Sequence, residues 1–316
     1  MAEGGALPTR RIEGQKTLLS RTPHSLAYNE INDEIVIPGP FAQAILTFRG
    51  GANGEEAPIR VLQGPLTQLY NYVDQIVLDQ VNGEIYVMAG YPFPDHIQVF
   101  SREANGNVAP IRVLKGPDNT VLGFTPSKAP AGLAGGLAVD PVNNVLLLAG
   151  AEGVVIFDRT AQGNAQPRGM IRSPKARMGG KLFAYPPRSE IILIGDDALV
   201  DPGTAARERS FQSFLLHGTE RGAGGGSGYD ADPMEKKGNG TFVRVWNIDD
   251  RGNVPPRREW RIMGPQKSLW GPEETGAEGD WSSISAGTLD PKNKSLILKS
   301  KPLNAIFTYY FPELFE

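Results

Sequence analysis

Short apolar runs alternate with clusters of Asn, Asp, Gly and Pro along nearly the whole chain. Glu84-Ile-Tyr-Val-Met-Ala89 and Val145-Leu-Leu-Leu-Ala149 are too short for helices and rich in β-branched and bulky residues, which predicts strands. Each follows a bend that opens with Asp: Asp79-Gln-Val-Asn-Gly83 and Asp140-Pro-Val-Asn-Asn144. Asx and Gly accept the tight backbone of a hairpin turn, so each bend with its flanking runs reads as a β-hairpin. Asn29 to Ile37, Tyr185 to Leu193 and Asp290 to Leu298 align with these two residue for residue. The pattern predicts five hairpins.

A second motif follows each of the first four hairpins, and a shortened copy opens the chain. Pro58-Ile-Arg-Val-Leu-Gln-Gly-Pro65 returns as Pro110-Ile-Arg-Val-Leu-Lys-Gly-Pro117. Looser copies are Pro167-Arg-Gly-Met-Ile-Arg-Ser-Pro174 and Arg258-Glu-Trp-Arg-Ile-Met-Gly-Pro265, and Pro8-Thr-Arg-Arg-Ile-Glu-Gly14 is a shortened one. Between hairpin and motif lies a third strand ending in an aromatic residue, then a Gly-Asn bend: Phe48 with Asn53-Gly54, Phe100 with Gly106-Asn107, Phe157 with Gly163-Asn164, Trp246 with Gly252-Asn253. The unit is strand, tight turn, strand, connection, strand, Gly-Asn turn, strand. It recurs about every 50 residues, the signature of a four-stranded propeller blade.

Five hairpins and five closing strands predict an all-β, five-bladed β-propeller of four-stranded blades. The lone closing strand at 10–14 is expected to pair with the C-terminal blade near Ala305 to Tyr310, closing the ring and removing an exposed edge. Residues 1–316 then form a single domain: blade 1 about 24–65, blade 2 about 66–117, blade 3 about 118–174, blade 4 about 175–265 with an insertion about 196–240, and blade 5 about 266–316 plus strand 10–14.

Gly135-Gly-Leu-Ala-Val-Asp140, a glycine-led first strand ending in Asp, resembles the NHL-repeat class of propellers. The resemblance extends blade by blade over nearly the whole chain. It implies the propeller fold, and one of two kinds of function. Some NHL-like propellers are lyases and lactonases with an axial metal site, and Pro23-His24 looks like their His-led inner strand. Others are non-catalytic binders of proteins, peptides or glycans.

Composition narrows the classes. The 38 Gly and 26 Pro among 316 residues are largely the punctuation of the repeat, and a hydrophobic content of 40% suffices for a core. The lack of Cys excludes disulfides, thiolate metal sites and Cys nucleophiles. A net charge of -3 gives no basic field for nucleic acid, and no apolar run approaches the ~20 residues of a membrane helix. Met1-Ala-Glu-Gly-Gly5 is no signal-peptide core, so the expected location is the cytoplasm, or the periplasm or exterior with a signal peptide removed. A monomer is expected.

Antiparallel strands put the hairpin and Gly-Asn turns at one end of each blade and all other connections at the other. The first end is uniform. The second is irregular, with Gly90 to Asp95, Asp118 to Leu133, Gln266 to Ser283 and the blade 4 insertion with its Gly222 to Gly228 stretch. Insertions in repeats collect on the binding face. There, five residues before each hairpin's opening residue, lie His24, Asp74, Gly135, Gly180 and Ser285. His24, Asp74 and Ser285 are the catalytic candidates. His24 and Asp74, with His96 and His217 in the second-to-third-strand connections of blades 2 and 4, are candidate ligands of a divalent metal, Ca or Zn. Tyr91, Phe93, Trp270 and Trp281 are expected to wall a substrate pocket, with Arg177 holding an anionic group.

Three other readings of these polar residues stay open: a Ser285-His24-Asp74 nucleophilic arrangement, paired-carboxylate glycosidase chemistry using loop Asp residues, and simple capping of strand ends. The expected function is small-molecule binding with hydrolase or lyase chemistry of lactonase type. The alternative is a non-catalytic protein-, peptide- or glycan-binding propeller.

Overall fold

The computed structural model describes residues 8–20, 23, 25–39, 41–69, 73–89, 96–115, 136–150, 153–173, 180–196, 241–262, 284–300 and 305–316. The chain is all-β, with five antiparallel sheets that are the blades of a β-propeller. Blade 1 is β1 (Ala27–Asn29), β2 (Glu34–Gly39), β3 (Ala44–Arg49) and β4 (Arg60–Gln63). Blade 2 is β5 (Val73–Asp79), β6 (Glu84–Ala89), β7 (His96–Ser101) and β8 (Arg112–Lys115). Blade 3 is β9 (Gly136–Asp140), β10 (Val145–Gly150), β11 (Gly153–Asp158) and β12 (Gly169–Arg172). Blade 4 is β13 (Lys181–Tyr185), β14 (Glu190–Asp196), β15 (Thr241–Asn247) and β17 (Arg258–Ile262), with the short β16 (Gly252–Asn253) in its last turn. Blade 5 has three strands among the described residues: β18 (Ile284–Asp290), β19 (Ser295–Ser300) and β20 (Ala305–Tyr310).

In four of the five hairpins the first residue, Asn29, Asp79, Asp140 or Asp290, satisfies the bend, whereas the fourth opens with Tyr185. Asp140 Oδ1 accepts Val142 N–H and Asn143 N–H, both at 2.9 Å, and Asn143 Nδ2 donates to Asp140 Oδ2 at 2.7 Å. Asp79 does the same for Val81 and Asn82. This is an Asx turn, in which the side chain of the first residue holds the tight bend locally.

The chain falls into two compact units. The first holds blades 1 and 2 and residues 137–146 and 157–167 of blade 3. Its core joins consecutive sheets: Val36, Ile45 and Leu62 of blade 1 pack with Val73, Ile76 and Phe100 of blade 2. Each such fully buried aliphatic stabilises by about 2 kcal/mol. Fourth strands are fastened to the next blade by a short parallel bridge. Gly106 N–H donates to Val61 O at 2.7 Å and Gln63 N–H to Gly106 O at 3.1 Å, and Gly163 repeats this against Val113 and Lys115. Both glycines have positive φ, 71° and 57°, which explains the Gly of the Gly-Asn motif. Residues 11–13 bridge Gly54 in the same manner. The expected pairing of 10–14 with Ala305 to Tyr310 is not among the described ladders; the segment's backbone bonds go to the Gly54 turn.

In the second unit, β12 pairs in parallel with β16 through Ile171–Gly252 and Arg172–Asn253. Ile192, Ile194, Val243 and Val245 of blade 4 pack with Leu296 and Leu298 of blade 5, and Leu314 closes this core. Trp246, 0% exposed, lies in the core as its alignment with Phe100 predicts.

Candidate functional site

At the connection end of blade 2 the regular ladder breaks. Val73 pairs with Ala89 and Gln75 with Met88, so Asp74 is an extra residue outside the register, a β-bulge. Blade 5 repeats this: Ile284 pairs with Ser300 and Ala286 with Lys299, leaving Ser285 as the extra residue. Two of the three catalytic candidates thus occupy bulges at the same position of the repeat. Bulges bend a strand and re-aim a side chain, and they recur beside active sites.

His24 lies outside the described residues, but its neighbour does not. Ser25 Oγ accepts Ile76 N–H at 3.4 Å, so the first strands of blades 1 and 2 meet beside Asp74. His96 requires a correction. It is the first residue of β7 and not part of a connection, because its backbone pairs with Ala89 and Lys115. Its side chain is 4% exposed, hence a buried residue of the sheet. Val73, Ala89, His96 and Lys115 form one row across blade 2, which puts the backbones at His96 and at the β5 bulge two strands, about 10 Å, apart. In the same strand Gln98 Nε2 donates to Thr67 O at 3.1 Å and Gln68 O at 2.9 Å, anchoring the lead-in to blade 2.

Gly180 precedes β13 with φ 157°, and a Cβ there would lie 2.3 Å from Ile194 O. Glycine at that ring position therefore reflects close backbone approach. Gly135, Tyr91, Phe93, Arg177, His217, Trp270, Trp281 and the insertion beyond Asp196 lie outside the described residues. Among the described residues, no group of three or more His, Asp or Glu side chains is placed to hold a metal. A cleft of about 500 Å3 lined by Arg10, Leu26, Tyr28 and Asp33 contains none of the predicted site residues.

The opposite end holds residues that the motif contains without revealing their use. Glu84 Oε2 accepts from Arg159 Nη1 at 2.6 Å, Arg112 Nη2 at 2.7 Å and Tyr86 Oη at 2.7 Å. Burial alone would raise the Glu84 carboxyl, but these donors and the two guanidinium charges outweigh it and hold it below its ordinary range. Burial, then the Glu84 carboxylate, pushes the Tyr86 phenol up. Blade 1 has the same network: Arg60 Nη2 lies 2.7 Å from Glu34 Oε2 as an ion pair without hydrogen-bond alignment, and Arg102 Nη1 donates to Glu34 Oε1 at 2.8 Å. The Arg of Pro-Ile-Arg-Val-Leu is thus a structural cation. Blade 3 has Val145 and Gly169 at the Glu and Arg positions.

No family model matches the chain, and no curated protein matches it. Among solved structures it is similar to the WD40 domain from Toxoplasma gondii coronin, at 10% identity and a TM-score of 0.46, over 88% of this chain and 53% of that one. The chain thus spans about half of that relative's length, and so coarse a likeness carries no functional assignment.

Proposed function

We propose that this propeller binds a small molecule at the connection end of blades 1 and 2 and acts on it as a hydrolase or lyase of lactonase type. The observation that carries the reading is the bulge at Asp74, beside the contact of Ser25 with Ile76. An otherwise regular ladder breaks at Asp74, as it does at Ser285 of blade 5, and Asp74 lies next to the blade whose equivalent position is His24.

Imidazole and carboxylate are the donors that a Zn site uses, whereas Ca favours oxygen alone, so His24 and Asp74 fit Zn better. Such an ion, when bound, would polarise a carbonyl or acidify a water. His24 and Asp74 would hold it and also orient substrate. Without an ion, the same pair can move a proton at His24, with the Asp74 carboxylate stabilising the imidazolium. Tyr91 and Phe93, in the adjoining connection of blade 2, would supply apolar contact to the substrate.

The test is turnover of a panel of aliphatic and aromatic lactones by the full chain, with metal content measured after incubation with Zn or Ca. Hydrolysis that falls at least about a hundredfold in His24→Ala supports the reading. No turnover by the parent chain, or equal turnover by the variant, overturns it in favour of non-catalytic binding.

A further inference from the structure

The side chain at the hairpin tip is apolar and branched in blades 1, 2 and 3. Ile31, Val81 and Val142 are 65%, 71% and 72% exposed. Turn tips favour Gly, Asn, Asp, Ser and Pro, and β-branched residues suit strands. Single exposed aliphatics are ordinary on a protein surface. Three at one repeated position on consecutive blades form a pattern, and contiguous apolar exposure marks interaction surfaces. Blades 4 and 5 have Pro187 and Lys292 at this position.

The three tips are fastened together. Gln80 Oε1 accepts Glu30 N–H at 2.8 Å and Ile31 N–H at 3.4 Å, tying the second tip to the first. Arg159 lies 3.2 Å from Asp79 Oδ2 and donates to Asn144 Oδ1 at 3.2 Å, tying the second to the third. The arc is therefore held in place before any partner arrives, which lowers the ordering cost of binding.

The tips themselves carry only acidic charge. The three tips contain no Lys or Arg, and Glu30 and Asp33 flank Ile31. The nearby cations are already committed: Arg102 to Glu34, Arg159 to Glu84 and Asp79, Arg49 to Glu56, and Arg10 to the Gly50 carbonyl. We infer that the hairpin end of blades 1 to 3 is a docking surface for a protein segment presenting aliphatic side chains flanked by Lys or Arg. The inference is independent of the ligand proposed at the opposite end.

A fluorescently labelled amphipathic peptide of Leu and Lys, titrated with the full chain at low and high salt, tests it. Saturable binding is expected, weakened about tenfold or more by Ile31→Asn/Val81→Asn/Val142→Asn and, at low salt, by Glu30→Lys. Leu18→Asn/Leu66→Asn replaces aliphatics at the opposite end that are 53% and 57% exposed, and should leave binding unchanged. Thermal melting confirms that the variants fold; Val81→Asn alone, with a smaller loss, serves if the triple variant does not. Absence of peptide binding, or equal loss in both sets of variants, overturns the inference.

Discussion

At the hairpin end of blade 2, Glu84 accepts three hydrogen bonds and the ladder starts in register at Asp79–Glu84. At the other end of the same sheet, the register slips at Asp74. The first end joins neighbouring blades: Arg159 reaches back from blade 3 to Glu84, and Arg102 from blade 2 to Glu34. The repeat builds a regular ladder at the hairpin end and departs from it at the connection end, at Asp74 in blade 2 and at Ser285 in blade 5.

The largest expected effect lies at the hairpin end. Arg112→Ala removes a donor from a largely buried carboxylate and should destabilise by about 3 kcal/mol in denaturant unfolding. An effect under about 1 kcal/mol would mean that solvent replaces the guanidinium and that the seam is not held by charge. The same carboxylate sets a pH dependence. Glu84 is depressed in the folded state, so its contribution is complete above the unfolded value near ~4.3 and is lost as pH falls through the lower folded value. Glu84→Gln should therefore flatten the acid side of the stability curve below about pH 4; an unchanged slope would contradict the depressed carboxyl.

A smaller effect is expected from the turns. Asp140 accepts two backbone N–H groups and one side-chain amide, so Asp140→Ala should cost about 2 kcal/mol, and Asp140→Asn less, since the amide oxygen still accepts. Equal losses in the two variants would show that charge and not turn geometry matters there.

Much of the hairpin end is legible in the sequence, because its signals are local. Asp79 and Asn82, or Gly106 and Asn107, sit within one turn and carry their own reason. The charged seams were not legible: Arg159 and Glu84 lie in different blades, and only the fold makes them neighbours. The bulge at Asp74 left no local signal either, since the ring position was visible by alignment but its escape from the ladder was not. His96 misled because the connection before it looks long in sequence, while the backbone of His96 already belongs to β7.

The most direct measurement pairs thermal unfolding with lactone turnover in Asp74→Asn. The proposed role of Asp74 predicts a melting temperature unchanged within an effect of about 0.5 kcal/mol, with turnover lost. A lowered melting temperature with turnover retained would make Asp74 a structural cap and contradict the assignment.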